Sequence, residues 1–310
     1  MVVALLSATR LRESFGPRAG VDIPGLITVT CGVLALVWAL MRGNPAGWTS
    51  TETLSSSALG ALFVALSVAW ELRAAAPMIP MHLFRSRVFA AGNVAMFLLN
   101  ATVMGTLFFL AQFQVAVLGQ SPLSAGLRIL PWGIALAVVA PQAGALARRL
   151  GEAGVVALGF VLQAAGFVWM ALIAKPDLAY VEMIAPMVAA GSGFAMAIPI
   201  VQKAVVSAVA PVEIGKASGT LSTIRQLGGV FGVAIAVAIF ALVGDRTTPQ
   251  SFARGFAGAN GVLALFSLLG IVAALWLSRE PIGGPRSSGV AAEARVGSSL
   301  REATNKNPGA

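Results

Sequence analysis

The chain has 310 residues, of which 57% are hydrophobic and only 11% charged, and its mean hydropathy is +0.86. A water-soluble domain carries about 25% charged residues, so this composition excludes a soluble globular enzyme, a nucleic-acid-binding module and a disordered chain. A single cysteine, Cys31, and a single histidine, His82, leave no basis for a disulfide framework or a multi-histidine metal site, and no cofactor is expected.

In chain order, Met1–Leu6 is apolar but too short to span a bilayer, and without a preceding basic stretch it does not read as a signal peptide. Crossing a hydrocarbon core of about 30 Å takes roughly 20 apolar residues per helix. Eight blocks meet that length: 23–41, 54–70, 88–117, 123–147, 155–174, 179–201, 218–243 and 252–277. They are apolar on every face rather than alternating, which predicts helices rather than strands of a membrane barrel. The fold class is therefore all-α, a polytopic membrane protein with about eight transmembrane helices. Beyond Arg279 the composition turns to Gly, Pro, Ser and charge, which predicts a disordered tail over 279–310.

The 21 basic residues alternate from loop to loop. Fifteen fall on the side of the termini, four (Arg42, Lys175, Arg246, Arg254) on the other, and Arg128 and Arg225 lie within helices. Omitting the tail leaves 10 against 4. The positive-inside rule then puts both termini in the cytoplasm of a multi-pass plasma-membrane protein. Trp48, Trp132, Trp169 and Trp276 lie near block ends, where headgroup anchoring and plain packing are about equally expected.

Several loops carry a family resemblance. Asp22-Ile-Pro-Gly25 leads into an apolar helix and then Gly47-Trp-Thr-Ser50. Pro77 to Arg87 forms a basic loop, Ser124-Ala-Gly-Leu-Arg-Ile-Leu-Pro131 opens the fourth block, and Ala217 to Gly229 precedes a glycine-rich helix. In this order and spacing over about 22–277 they resemble the C-terminal part of a major facilitator superfamily transporter of the fourteen-helix drug:proton antiporter type. The resemblance implies a cytoplasmic segment at 1–21 with a remnant of a preceding helix, a two-helix membrane hairpin at 22–73, and a basic cytoplasmic loop at 74–87. It further implies a six-helix transporter bundle of two inverted repeats at 88–278, and a cytoplasmic tail at 279–310. It places the family's first six helices, with their coupling groups, outside this chain. Gly144-Ala-Leu-Ala-Arg-Arg-Leu-Gly151 resembles the repeated cytoplasmic signature, so Gly144, Arg148, Arg149 and Gly151 are expected to form a gating loop. Arg148 stands where that pattern usually has aspartate.

Polar groups at depth are the candidates for a substrate path. Asn93, Asn100 and Gln114 are spaced by seven and fourteen residues, which keeps them on one helical face. Gln163, Ser192 and Arg225 complete the set. Each has a plainer reading: the amides as helix glue, Arg225 and Arg128 as side chains snorkelling from about 10 Å depth. Gln112 falls on another face and reads as a packing contact. Gly215-x-x-x-Gly219 and Gly228-x-x-x-Gly232 permit close helix approach. Pro131, Pro141, Pro199 and the Gly191–Gly193 stretch could break helices, although proline and glycine are simply common in membrane helices. Several methionines with Phe97, Phe108 and Phe109 could form a lipophilic pocket or plain core. His82 is expected to be a solvated loop residue. No Asp or Glu sits at mid-block, which weighs against proton coupling by this chain alone.

Two readings follow. One is part of an efflux transporter for drugs or lipophilic small molecules, working by alternating access, not an enzyme. Its partners would be the lipid bilayer, a small-molecule substrate, protons, and a missing N-terminal half or a second subunit, with no nucleic acid. The other is a half-transporter without transport of its own, a membrane scaffold or partner subunit.

Overall fold

The computed structural model describes residues 22–74 and 81–277. The segments predicted over 1–21 and 279–310, and Pro77–Pro80 of the basic loop, lie outside the described residues. The described chain is helical, with eight helical stretches long and apolar enough to cross a membrane.

The helices are α1 (Ile23–Ala46), α2 (Thr51–Glu71), α3 (Arg87–Ala116), α4 (Pro122–Arg128), α5 (Leu130–Val139), α6 (Ala143–Leu150), α7 (Glu152–Ile173), α8 (Tyr180–Ser207), α9 (Ile214–Val243) and α10 (Pro249–Leu277). Short 3-10 turns at Met81–Arg85, Ala140–Gln142 and Pro211–Glu213 join them. Side-chain caps fix several starts by satisfying amides that the first turn leaves unpaired. Asp22 accepts from the Gly25 amide at 3.0 Å, Ser50 from Thr53 at 3.2 Å, and Ser121 from Ser124 at 3.2 Å.

The blocks correspond to the spans with one physical correction. The fourth, read as continuous over 123–147, is three helices, α4 to α6. Ile129 ends α4 and begins α5, with Pro131 in the first turn of α5, and Pro141 sits in the 3-10 turn before α6. Proline has no N–H to donate and crowds the preceding carbonyl, so the chain restarts its ladder at each. By contrast α8 runs unbroken through Pro186, Gly191, Gly193 and Pro199.

Consecutive spans run antiparallel, and contacts at their ends fix the register. At the end where α1 begins, the Trp70 indole donates to Asp22 at 2.9 Å and Lys203 meets Glu152 at 2.7 Å. There too His82 lies 2.6 Å from Glu213, joining the turn before α3 to the turn before α9. His82 is exposed, as expected of a solvated loop residue, and its contact with Glu213 also makes it a tether. At the opposite end, Arg42 meets Glu52 through two bonds of 2.8 and 3.0 Å, and the Tyr180 hydroxyl donates to the Arg128 carbonyl at 3.2 Å. Here Asp245 accepts from the Thr247 hydroxyl and amide at the turn into α10, which holds its carboxyl below the ordinary range.

Six spans form one bundle. α3 packs on α9 and α10, α10 on α7, α7 on α8, and α8 on α5 and α3; α1 and α2 pair with each other and touch the bundle chiefly along α9. α3 and α8 are the most enclosed spans. Phe109 and Phe113 of α3, Phe240 of α9, and Phe252 and Phe256 of α10 knit three helices with ring centroids 4.7–4.8 Å apart at the closest pairs. Trp132, for which headgroup anchoring and plain packing were about equally expected, is 4% exposed and stacks on Phe167 in the core.

Glycine decides close approach where α3 crosses α9, as Gly159 and Gly193 do between α7 and α8. A Cβ on Gly228 or Gly232 would collide with the carbonyls of Phe97 and Ala101, and one on Gly105 would lie 2.9 Å from the Gly232 carbonyl. Backbone thus meets backbone between α3 and α9, as small-residue motifs allow. The Gly215 and Gly219 pair, expected to do the same, has no neighbour within 4 Å. Gly232→Ala is therefore expected to lower stability by about 1–3 kcal/mol, the range for overpacking, while Gly219→Ala, which meets no neighbour and gains helix propensity, should not lower it; equilibrium unfolding in detergent of the two variants checks both.

Candidate functional site

The polar candidates divide between an enclosed set and a set that borders open space. On α3, Asn93, Asn100 and Gln114 are 1%, 7% and 0% exposed. Hydrocarbon offers no partner, so their amides turn back to protein. Asn93 Nδ2 donates to the Phe89 carbonyl at 2.8 Å, and Asn100 Nδ2 to that of Met96 at 3.2 Å. Gln114 Nε2 reaches the Met183 sulfur of α8 at 3.5 Å. Asn93 Oδ1 and Gln114 Oε1 are buried without a described partner. Gln163 of α7 is fully buried, its Oε1 lies 3.4 Å from the Ser267 hydroxyl, which shares its one proton with the Leu263 carbonyl at 3.2 Å, and its Nε2 is without a described partner. None of these four lines the cavities described below.

A relay that the sequence reading missed joins three helices. The Thr106 hydroxyl of α3 donates to Asn260 Oδ1 of α10 at 3.1 Å, and seven residues on, Ser267 of α10 bonds Gln163 of α7. All four residues are buried. Asn260 lies within Gly255-x-x-Gly258-x-x-Gly261, where the glycines draw attention to packing; an amide in a 29-residue apolar helix was the available signal. Interhelical bonds of this kind average about 0.6 kcal/mol and reach about 1.7. A double-mutant cycle on Thr106→Val and Asn260→Ala is expected to return coupling in that range; zero coupling would show that the pair is geometric only.

Of the loop candidates, Arg148 and Arg149 border a cavity of about 570 Å³ at the end of the bundle where α1 begins, and Gly144 and Gly151 do not. Arg148 and Arg149 occupy the last turn of α6, and Val139, Gln142, Leu146 and Met196 of α8 complete the wall. Gly151 makes the turn into α7 with φ +78°, a conformation that favours glycine. Gly144 faces open space, and its carbonyl accepts from Arg148 at 3.4 Å. Neither arginine forms an ion pair among the described residues. Glu152, next along the chain, is held by Lys203. Ser192 lies one turn before Met196 on α8 and is half-buried.

Arg225 is half-buried 11 residues into α9, deeper in its helix than the block starting at 218 implied, because α9 begins at Ile214. It makes no ion pair among the described residues. Beside it, Ser222, Thr223 and Gln226 face Thr30 of α1 and the buried Glu71 of α2 across a second cavity, of about 430 Å³. The sequence reading did not anticipate this space, since it depends on how the hairpin meets α9. Of the methionines, Met96, Met170, Met183 and Met187 are fully buried core and Met104 is exposed. No cluster of three or more His, Cys, Asp or Glu suited to a metal occurs among the described residues.

The family model described as Major Facilitator Superfamily matches residues 1–233. The chain belongs to the Major Facilitator Superfamily. It is 32% identical over 254 residues to the cephamycin export protein CmcT of Amycolatopsis lactamdurans, covering 81% of this chain and 52% of that protein. It is 31% identical to the tetracenomycin C resistance and export protein of Streptomyces glaucescens, covering 79% and 45%. It is 30% identical to the multidrug resistance protein Stp of Mycobacterium tuberculosis H37Rv, covering 77% and 44%. The chain thus spans about half the length of the relatives it matches. Among solved structures, the nucleoside transporter NupG superposes with a TM-score of 0.53 at 15% identity, covering 80% of this chain and 66% of that one, which speaks to the fold alone. As a superfamily member with eight membrane-length helical stretches among the described residues, the chain is a polytopic membrane protein.

Proposed function

We infer that the chain is part of an efflux transporter for drugs or other lipophilic small molecules, of the fourteen-helix type and corresponding to its C-terminal part. The observation that carries this is identity of 30–32% over about four-fifths of the chain to export and resistance proteins. The eight-span layout and the hairpin lying outside the six-helix bundle support it. In this reading 22–73 is the hairpin, 74–87 the basic cytoplasmic loop and 88–278 the transporter bundle. Both termini lie in the cytoplasm by the charge bias. Alternating access rocks one bundle against another, and Gly144, Arg148, Arg149 and Gly151 serve as the gating loop. Asn93, Asn100, Gln114, Gln163, Ser192 and Arg225 flank the substrate path.

Proton coupling draws on groups other than those described here. All eight described carboxylates, from Asp22 to Asp245, lie at helix ends or in turns, whereas coupling across a bilayer uses a titratable group at depth. A second reading, a membrane scaffold or partner subunit without transport of its own, draws on the same placement of every described carboxylate at helix ends or in turns.

Proteoliposomes carrying the purified chain separate the two. The transport reading expects saturable ethidium flux down its gradient, lowered by Gly151→Val, with no accumulation driven by an imposed pH gradient. Absence of saturable flux from a monodisperse, thermally stable chain would leave the scaffold reading.

A further inference from the structure

The cavity beside α6 has a polarity gradient that neither a soluble ligand nor a bare packing defect calls for. Arg148 and Arg149 sit at its mouth, in the last turn before Gly151, where the fourth span ends. Both are exposed, and no described carboxylate pairs with either. Below them Gln142 and Leu146 lead to Val139 and Met196. Ten residues separate Val139 from Arg149, about 15 Å at helical rise, so the wall passes from headgroup depth well into hydrocarbon. Met196, 11 residues from the end of α8, lies at a matching depth.

The flank of the same span is apolar and uncovered by the described residues. Ile134, Val138 and Leu150 are 59%, 56% and 52% exposed, so the cavity adjoins an apolar outer face. Two guanidinium groups without a described carboxylate partner sit at headgroup level; beyond the bond Arg148 gives to the Gly144 carbonyl they present nine N–H donors and two positive charges, and guanidinium suits the oxygens of a phosphodiester. A zwitterionic headgroup brings its own ammonium and gains less there.

We propose that this cavity is a binding site for an anionic phospholipid. Its phosphate lies between Arg148 and Arg149, and an acyl chain runs along Leu146 and Val139 toward Met196. The site goes beyond the transport reading and does not require it: lipid retention is measured on the chain without any flux.

The test is native mass spectrometry of the full 310-residue chain released from detergent micelles containing equal phosphatidylglycerol and phosphatidylcholine of matched acyl chains. Retention of phosphatidylglycerol is expected to exceed that of phosphatidylcholine roughly fivefold or more, as one to two basic residues at an anionic surface give. Arg148→Gln with Arg149→Gln should bring the two lipids level. Arg246→Gln with Arg254→Gln, which removes the same charge from exposed positions at the other end, should leave the preference intact. Val139→Trp, which fills the cavity and keeps both arginines, should also lower retention. Inorganic phosphate in millimolar excess should not displace the lipid.

Equal retention of the two lipids by the unaltered chain would overturn the site. So would equal losses from both double variants, or displacement by phosphate alone. Retention unaffected by Val139→Trp would refute the acyl-chain path. A dimer that the Arg148 and Arg149 variant splits into monomers would assign the surface to a second copy of the chain. Because both arginines are exposed, their replacement does not threaten folding, and a monodisperse elution profile checks it.

Discussion

A peptide amide in hydrocarbon has no water to turn to, and this constraint organises the whole molecule. It makes each span a helix, and it makes each break in a span a place where something else must satisfy the backbone. The fourth span shows the second half of that rule: its interruptions fall at Pro131 and Pro141, and the chain answers each with a fresh turn rather than an open gap. The same constraint acts on side chains. Asn93, Asn100 and Asn260 each return a donor to the carbonyl four residues back, which spends the group locally before any neighbour is reached.

With hydrocarbon on both sides of the comparison, helices gain little from hiding apolar surface from one another. What holds α3, α9 and α10 together is contact: carbonyl against glycine at Gly228 and Gly232, and stacked rings around Phe109, Phe240 and Phe252. The Thr106–Asn260 and Ser267–Gln163 bonds add direction to that contact, since each is satisfied at only one rotation of α10.

The spans were legible in the sequence because membrane length and hydropathy are properties of single segments. Gly228-x-x-x-Gly232 was legible for the same reason, and Gly215-x-x-x-Gly219 shows the limit: identical spacing faces open space because spacing does not say which side of α9 meets α3. The position of Trp132 near a block end left anchoring and packing equally open, and the stacking on Phe167 from the next span settles it as packing. The partners of His82 and Glu152 lie 131 and 51 residues away, and no local pattern announces such pairs. Arg148 and Arg149 were found through the loop signature, whereas the cavity they border required Met196 from a helix two spans on.

The α1–α2 hairpin is internally well knit, with Gly32 and Gly60 admitting the opposing helix and the Arg42–Glu52 and Trp70–Asp22 contacts closing its two ends. Its principal attachment to the remaining spans runs along α9, where the Asn44 side chain reaches the Ala238 carbonyl. Such a piece is modular in the evolutionary sense. Residues on the outer face of the hairpin are free to drift, a lineage can lengthen or delete the pair without repacking α3, α7, α8 or α10, and selection on the union is concentrated in a narrow strip of α1 and its counterpart on α9.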